Sequence, residues 1–174
     1  MDLKFRPATQ NDCESLATLI NAGYRGDKSR AGWTTEADLL DGQRTDKNIL
    51  QSLVAQKESN FLLAFDSKDN LLGCVHLEKR SITNCYLGML TVNPTGQSQG
   101  VGRALLTRAE KFAKEVYGSS KMEMTVITLR HELMAWYERR GYRRTGKIVP
   151  FPVHPQFGVL KVASLEMEVL DKSI

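Results

Sequence analysis

A glycine-rich loop that joins a strand-like run to a helix-like run constrains this chain more than any other feature. The apolar run 83–92 (TNCYLGMLTV) stops at Asn93-Pro94, and apolar residues with helical spacing occupy 100–118. Glycines stand at positions 96, 100 and 102. Because a helix start has unpaired backbone N–H groups, and glycine lets a ligand approach the backbone, this loop is a candidate anion site. The alternative is a tight turn that serves only the packing of helix on strand.

The spacing of these glycines does not fit the two commonest phosphate-binding loops. A P-loop needs GxxxxGK followed by Ser or Thr, and no such Lys-Ser/Thr pair follows the glycines here. A Rossmann turn needs GxGxxG and an acidic residue about 20 residues later. The order Gly96, Gly100, Gly102 fits neither pattern.

The remaining hydrophobic patterns predict one α/β domain over residues 1–174, mostly β after residue 60. Helices are expected over 10–25, 35–42, 45–56, 100–118 and 131–141. Strands are expected over 3–8, 60–67, 71–81, 83–92, 122–129, 142–149 and 164–170. Segments 26–33 and 150–158 are expected to be loops. In the 100–118 helix, the apolar stripe should run from Val101 to Val116, and Gly118 should end the helix.

Composition limits the partners. The net charge of +4 suits an anionic ligand, and the basic cluster 139–144 (RRGYRR) fits a solvated helix end better than a nucleic-acid patch. No apolar run approaches the roughly 18 residues that a membrane helix needs, and the N-terminus lacks a signal-peptide core. We therefore expect a cytoplasmic protein without nucleic-acid or membrane partners. Three isolated cysteines and three scattered histidines predict neither a disulfide framework nor a metal site.

Two blocks of sequence resemble the GNAT family of N-acetyltransferases. VNPTGQSQGVGRALL (92–106) resembles that family's pyrophosphate loop, in which V-x-P precedes Q/R-x-x-G-x-G/A and a helix with paired leucines. Gln97, Gly100 and Gly102 match this pattern position for position. LRHELMAWYERRGYRRTG (129–146) resembles the family's later helix, which carries L-Y-x-x-x-G-F/Y.

This resemblance implies a fold and a cofactor. The fold is the GNAT fold, α/β (α+β) in class, whose mixed and mostly antiparallel sheet is flanked by helices and splayed between the strands at 83–92 and 122–129. The cofactor is acetyl-CoA, whose pantetheine arm enters the splay while its pyrophosphate lies on the glycine loop. A backbone N–H beside the splay would polarise the thioester carbonyl. The cofactor-binding residues implied are Leu90, Thr91, Val92, Gln97, Ser98, Gln99, Gly100, Val101, Gly102, Arg103 and Arg130.

The resemblance also implies catalytic residues. Tyr137 stands at the family's position for the acid that protonates the leaving thiolate, although it shares an apolar helix face and could be core. Arg130 stands where the family often has Asn, and Thr125 where some members have a basic Glu. The base therefore stays open: the candidates are Glu123, on the same strand face as Thr125, together with Glu78, His76 and a chain of water molecules.

The activity implied is transfer of an acetyl group from acetyl-CoA to a primary amine of a small molecule, by direct attack in a ternary complex. The acceptor pocket is expected from 23–44, with Tyr24, Trp33 and Glu36 as substrate-binding residues. The loop 150–158 should add to it, and its candidates are Phe151, His154 and Phe157. The alternatives are a protein or peptide N-acetyltransferase and an acyl-CoA-binding regulatory module without catalysis. The sequence leaves a homodimer open.

Overall fold

The computed structural model describes residues 2–97, 99–152, 154, 156 and 158–174, and within them the chain forms nine strands and five α-helices. The strands are β1 (Lys4–Pro7), β2 (Leu40–Asp41), β3 (Ser59–Phe65), β4 (Leu71–Lys79), β5 (Asn84–Val92), β6 (Lys121–Ile127), β7 (Arg143–Pro150), β8 (Val159–Leu160) and β9 (Glu166–Ser173). The helices are α1 (Cys13–Tyr24), α2 (Gly26–Ser29), α3 (Lys47–Val54), α4 (Val101–Tyr117) and α5 (His131–Glu138). None of the described helices is long and apolar enough to cross a bilayer.

Seven strands form one mixed sheet in the order β1-β3-β4-β5-β6-β9-β7, while β2 and β8 pair separately. The β5–β6 pair is parallel, and the other pairs in this sheet are antiparallel. Pairing of β5 with β6 covers only Asn84–Tyr86 against Lys121–Glu123, after which the two strands separate. The expected fold class and the expected position of the splay are both confirmed.

A β-bulge in β5 accompanies this separation. The register of β4 with β5 shifts between Cys74 and His76, and Met89 has a positive φ of 46°. An extra residue in one strand of an antiparallel pair bends that strand and increases its twist. The bulge therefore turns the second half of β5 away from β6 and opens the gap.

Both faces of the sheet are covered by helices. Along β3, Phe61 and Leu63 pack with α1 and α3 residues on one face, while Leu62 and Ala64 pack with α4 residues on the other. This division follows from the alternation of side chains along a strand, and it explains why β3 reads as a continuous apolar run.

The α4 helix differs from its expected stripe at one position. Val101, Leu105, Ala109 and Ala113 are buried as expected, but Val116 is 61% exposed and Tyr117 is buried in its place. The buried positions advance by four residues, so the next one after 113 is 117, which lies closer to the stripe than 116. Gly118 ends the helix in the left-handed conformation, as predicted.

The segment 26–42 contradicts its sequence pattern twice. A single helical turn, Gly26–Ser29, forms where a loop was predicted, and the Ser29 hydroxyl donates to the carbonyl of Gly26. The helix predicted over 35–42 does not form. Thr35 Oγ1 accepts from the backbone of Ala37 instead, and the chain then extends into β2, which pairs with β8. Burial of Leu40 in this extended position overrides its helix propensity.

Candidate active site

The glycine loop holds the start of α4 in a conformation that needs glycine at one position. Gly100 is the N-cap of α4 with φ of 84°, and a Cβ there would meet nothing within 4 Å. Gly100 is therefore required by the backbone rather than by crowding. A Cβ on Gly102 would lie 3.5 Å from Val92 Cγ2 and 3.7 Å from Trp136 Cζ2, which are ordinary contacts. Packing alone consequently does not require glycine at 102.

A cavity of about 380 Å³ opens in front of this helix start. It lies between the end of β5, the start of α4, α5 and the end of α1. The cofactor-binding candidates that line it are Leu90, Thr91, Val92, Gln97, Gly100, Val101, Gly102, Arg103 and Arg130. Gln99 is exposed and does not line it. Ser98 lies outside the described residues.

The edge of β5 presents backbone groups to this cavity. The Leu90 carbonyl accepts a hydrogen bond from the Tyr24 hydroxyl at 3.3 Å, and the Val92 carbonyl accepts one from Gln97 Nε2 at 3.3 Å. On the other side of the strand, Asn93 N–H donates to Leu72 of β4 at 2.8 Å. Because alternate residues of a strand direct their polar groups to opposite sides, Leu90 and Val92 face the gap. An extended chain of amides can pair with this edge as a further strand.

A second cavity, of about 130 Å³, lies within the splay between β5 and β6. It shares four lining residues with the larger cavity: Tyr24, Arg130, Leu133 and Tyr137. A hydrogen bond of 2.8 Å between Tyr86 Oη and Thr125 Oγ1 joins the two strands across its wall. Thr125 thus contributes a hydroxyl to this wall.

Tyr137 stands where the two cavities meet. Its side chain is 6% exposed, and the edge-on rings of Trp136 and Tyr142 lie 5.0 Å and 5.7 Å from its ring centre. Among the described residues, none forms a hydrogen bond with its phenol. Burial raises the pKa of Tyr137 well above its ordinary value, so the phenol is protonated at neutral pH. The packed ring therefore holds a protonated hydroxyl, without a partner among the described residues, in a fixed position.

The structure does not bring Glu123 or Glu78 to either cavity. Glu123 accepts from Asn84 Nδ2 at 2.5 Å and pairs with Lys121 at 2.7 Å, at the closed end of the splay. Burial opposes the charge, but these two partners lower the pKa of Glu123, which makes it a weaker base. Glu78 pairs with Arg80 at 3.4 Å and is also absent from the cavity walls. Neither carboxylate is placed to accept a proton from an amine in the splay.

His76 is the one base candidate that lines the smaller cavity. Its Nε2 lies 2.8 Å from the hydroxyl of buried Ser59, and its ring stacks against Phe61 at 4.6 Å. Burial, together with the charges of Arg44 and Arg80, lowers the pKa of His76 to about 4. The imidazole is therefore neutral near pH 7 and is a weak proton acceptor.

Glu36 lines the smaller cavity, but its charge is already compensated. Its Oε1 lies 2.8 Å from Arg130 Nη1, and its Oε2 pairs with Arg25 Nη1. All three side chains are at least nine-tenths buried, and Arg130 also donates to Thr34 Oγ1 at 2.7 Å. This ion-pair network fixes the 26–45 segment to the start of α5. Because a guanidinium group lies on each oxygen of Glu36, its charge is already compensated, which disfavours the expected role in binding an ammonium group.

Trp33 lines the larger cavity and not the smaller one. Its ring centre is 6.4 Å from that of Trp136, and its backbone N–H donates to Gln97 Oε1 at 2.9 Å. Gln97 thus bridges the 26–36 segment to β5. Of the loop candidates, Phe151 lines the smaller cavity, His154 is exposed and Phe157 lies outside the described residues.

The structure adds residues that the sequence patterns did not single out. Trp136 and Arg140 line the larger cavity, with the Arg140 guanidinium 3.6 Å above the Trp136 ring. Both belong to the block 129–146 that resembles the GNAT family, and this resemblance was the sequence signal that could have identified them. The methionine lining of the smaller cavity, Met89, Met124 and Met167, had no sequence signal because it comes from three separate strands.

Comparisons with known proteins give a family match and several similar solved structures. A family model described as the acetyltransferase (GNAT) domain matches residues 34–151. The spermidine N-acetyltransferase of Vibrio cholerae, solved with CoA and spermine, has a TM-score of 0.73 at 16% identity, covering 98% of this chain and 95% of its own. The smu.2055 structure from Streptococcus mutans UA159 has a TM-score of 0.73 at 18% identity and 98% coverage of both chains.

A third solved structure, yncA of Salmonella typhimurium with its cofactor acetyl-CoA, has a TM-score of 0.71 at 16% identity, covering 99% of this chain and 94% of its own. At such identities these three likenesses establish the fold. No curated protein sequence matches the chain.

Proposed function

Because the chain belongs to the GNAT acetyltransferase family, we propose that it transfers the acetyl group of acetyl-CoA to a primary amine of a small molecule. The amine attacks directly while both substrates are bound. The observation that carries this proposal is the meeting of two cavities at Tyr137, one in front of a helix start and one inside the splay.

The residues of the larger cavity fit acetyl-CoA. The start of α4 offers unpaired N–H groups and the positive end of the helix dipole, and the adjacent Arg103 and Arg140 add positive charge. The edge of β5 at Leu90 and Val92 lies beyond the pairing with β6 and suits the amides of a pantetheine arm, which would compete with Tyr24 and Gln97 for its carbonyl groups. When bound, acetyl-CoA supplies an activated acetyl thioester.

Groups of the protein itself stabilise the negative charge that develops in the reaction and transfer its protons. An N–H group on the exposed edge of β5 stabilises the negative charge that develops on the carbonyl oxygen. Tyr137 donates its phenolic proton, or a strong hydrogen bond, to the sulfur as the C–S bond breaks. The proton of the attacking amine passes to water, because His76, with a pKa of about 4, is a weak proton acceptor and the carboxylate of Glu36 is held in ion pairs.

The dimensions of the splay favour a small acceptor. The smaller cavity has a volume of about 130 Å³ and is walled by side chains of β5, β6 and β9. A peptide would need a longer groove than this pocket provides. The Vibrio cholerae relative is a spermidine N-acetyltransferase, which supports small-molecule amines as the general acceptor class.

Initial rates measured over a grid of acetyl-CoA and amine concentrations test direct attack. A ternary complex gives intersecting double-reciprocal lines, because both substrates must be bound before product leaves. Parallel lines, together with an acetylated protein isolated without amine, would instead indicate a covalent enzyme intermediate.

We expect Gly102→Ala to weaken acetyl-CoA binding by about 10- to 100-fold, the range for losing one hydrogen bond to a charged group. The new methyl group has ordinary contacts with Val92 and Trp136, but it projects at the cavity surface where a phosphate would lie. The free energy of unfolding should be unchanged or higher by up to about 1 kcal/mol, since Ala is the better helix former. Calorimetric titration and denaturant melts measure the two quantities.

Gly96→Ala is the matched control for this change. Gly96 lies in the same loop without a positive φ, its added Cβ would have only one neighbour, at 4.0 Å, and it does not line the cavity. Wild-type acetyl-CoA affinity in both variants would mean that the absence of a side chain at position 102 is not needed for cofactor binding.

A further inference from the structure

The described wall of the smaller cavity has more positively charged than negatively charged side chains. Its described lining contains one carboxylate, Glu36, and two guanidinium groups, Arg44 and Arg130. Both oxygens of Glu36 are engaged by Arg130 and Arg25. Within the described chain, the Arg44 guanidinium has no hydrogen-bond or ion-pair partner, and its contact is the face of Tyr24 at 5.7 Å. The cavity therefore carries an uncompensated positive charge.

The backbone holds Arg44 beside this cavity. Asn21 of α1 accepts from the N–H of Arg44 at 2.6 Å and from that of Thr45 at 3.2 Å, and its amide donates to the carbonyl of Thr45 at 2.9 Å. Arg44 is partly buried, so its charge is less screened than that of a surface arginine. A partly buried guanidinium whose backbone is held in place, and which has no hydrogen-bond partner among the described residues, is a suitable site for an anion.

Resting on the proposed function, we infer that the acceptor is a small amino acid-like molecule, whose carboxylate binds Arg44 and whose apolar body fills the splay. The walls of the cavity suit such a body, because they include Met89, Met124, Met167 and Phe151. A carboxylate gives the guanidinium the bidentate partner that the described residues do not supply.

A polycationic acceptor fits this cavity poorly. A second ammonium group needs an acidic partner, and the one carboxylate in the described wall is neutralised by two arginines. His76 offers no negative charge, and burial together with the charges of Arg44 and Arg80 keeps its ring neutral, with a pKa of about 4. The field of Arg44 repels a polyamine and attracts an amino acid.

Matched acceptors test this inference directly. Methionine, methioninamide and 3-(methylthio)propylamine share one apolar body and one amine, and only the first carries a carboxylate. Leucine and phenylalanine with their amides and decarboxylated amines extend the series, and spermidine represents polycations. We expect kcat/KM for the best acid to exceed that of its amide by about 10- to 100-fold, the worth of a hydrogen bond to a charged group.

The Arg44→Gln variant should abolish this preference. The ratio of kcat/KM for the acid to kcat/KM for its amide is expected to fall to about one, and Arg44→Lys should restore part of the ratio because it keeps the charge. Arg30→Gln is the matched control, since Arg30 belongs to the same segment, pairs with Asp38 and lines neither cavity. It should keep the wild-type ratio.

The outcomes separate this inference from the proposed function. Turnover of amides, simple amines or spermidine at rates equal to or above those of the acids would overturn the inference and leave the acetyltransferase intact. An Arg44→Gln variant with the wild-type ratio would overturn it as well. Binding of acetyl-CoA without turnover of any amine in the series would instead contradict the proposed function.

Discussion

Tyr137→Phe is expected to lower kcat by about 100-fold or more, the lower end of the range for general acid–base catalysis, while the affinity for acetyl-CoA changes little. The substitution removes one hydroxyl that lies where the two cavities meet and that lacks a hydrogen-bond partner in the described chain. Because no hydrogen bond to a described residue is lost and the ring packing is kept, stability should also be preserved. Single-turnover rates with saturating acetyl-CoA isolate the chemical step from binding.

Tyr142→Phe is the control for removal of a buried phenol. Its hydroxyl donates to Glu110 at 3.0 Å and it lines neither cavity, so this change should cost some stability but little activity. Wild-type kcat in the Tyr137→Phe variant would show that Tyr137 is structural and that water protonates the thiolate.

Glu36→Gln is expected to lower the free energy of unfolding by about 3 kcal/mol, the lower end of the range for breaking a buried ion pair. The change leaves the guanidinium groups of Arg25 and Arg130 buried without a counter-charge, although the amide oxygen can still accept one hydrogen bond. For a chain of this size that corresponds to a Tm about 6–12 °C lower. Denaturant unfolding and differential scanning calorimetry measure the change.

Asp38→Asn, two residues along the same segment, controls for the loss of a negative charge. Asp38 pairs with Arg30 at 2.6 Å in an exposed position, and exposed pairs contribute at most about 1 kcal/mol. If Glu36→Gln were no more destabilising than Asp38→Asn, the buried network would not fix the segment over the site.

Much of the fold could be predicted from local patterns. The apolar runs of β3 and β4 and the glycine stop of α4 depend on neighbouring residues alone and are confirmed, and the stripe of α4 is confirmed except at Val116. The segment 26–42 was less predictable because its structure depends on distant partners. Glu36 is held by Arg130, 94 positions away, and β2 pairs with β8, about 120 residues later. Such tertiary partners override local helix propensity.

The candidate site was likewise predictable where it depends on contiguous sequence and unpredictable where it depends on distant residues. The family-like blocks gave the loop at Gly100 and the position of Tyr137, since each lies within a short contiguous motif. The wall of the smaller cavity could be predicted only in part: Tyr24, Glu36 and Phe151 line it as expected, but its remaining side chains come from separate strands and share no contiguous motif. Whether a carboxylate such as Glu36 is free to bind an amine depends on which guanidinium groups surround it. The sequence alone does not contain that information.

Amine-dependent release of CoA, measured together with the N-acetylated product, tests the central claim most directly. Protein mixed with acetyl-CoA and the amine series should release free thiol at a rate that depends on the amine. Mass spectrometry should then find one N-acetylated amine for each thiol released. A protein that binds acetyl-CoA in the larger cavity but releases no thiol beyond the amine-free rate, with any member of the series, would contradict the account.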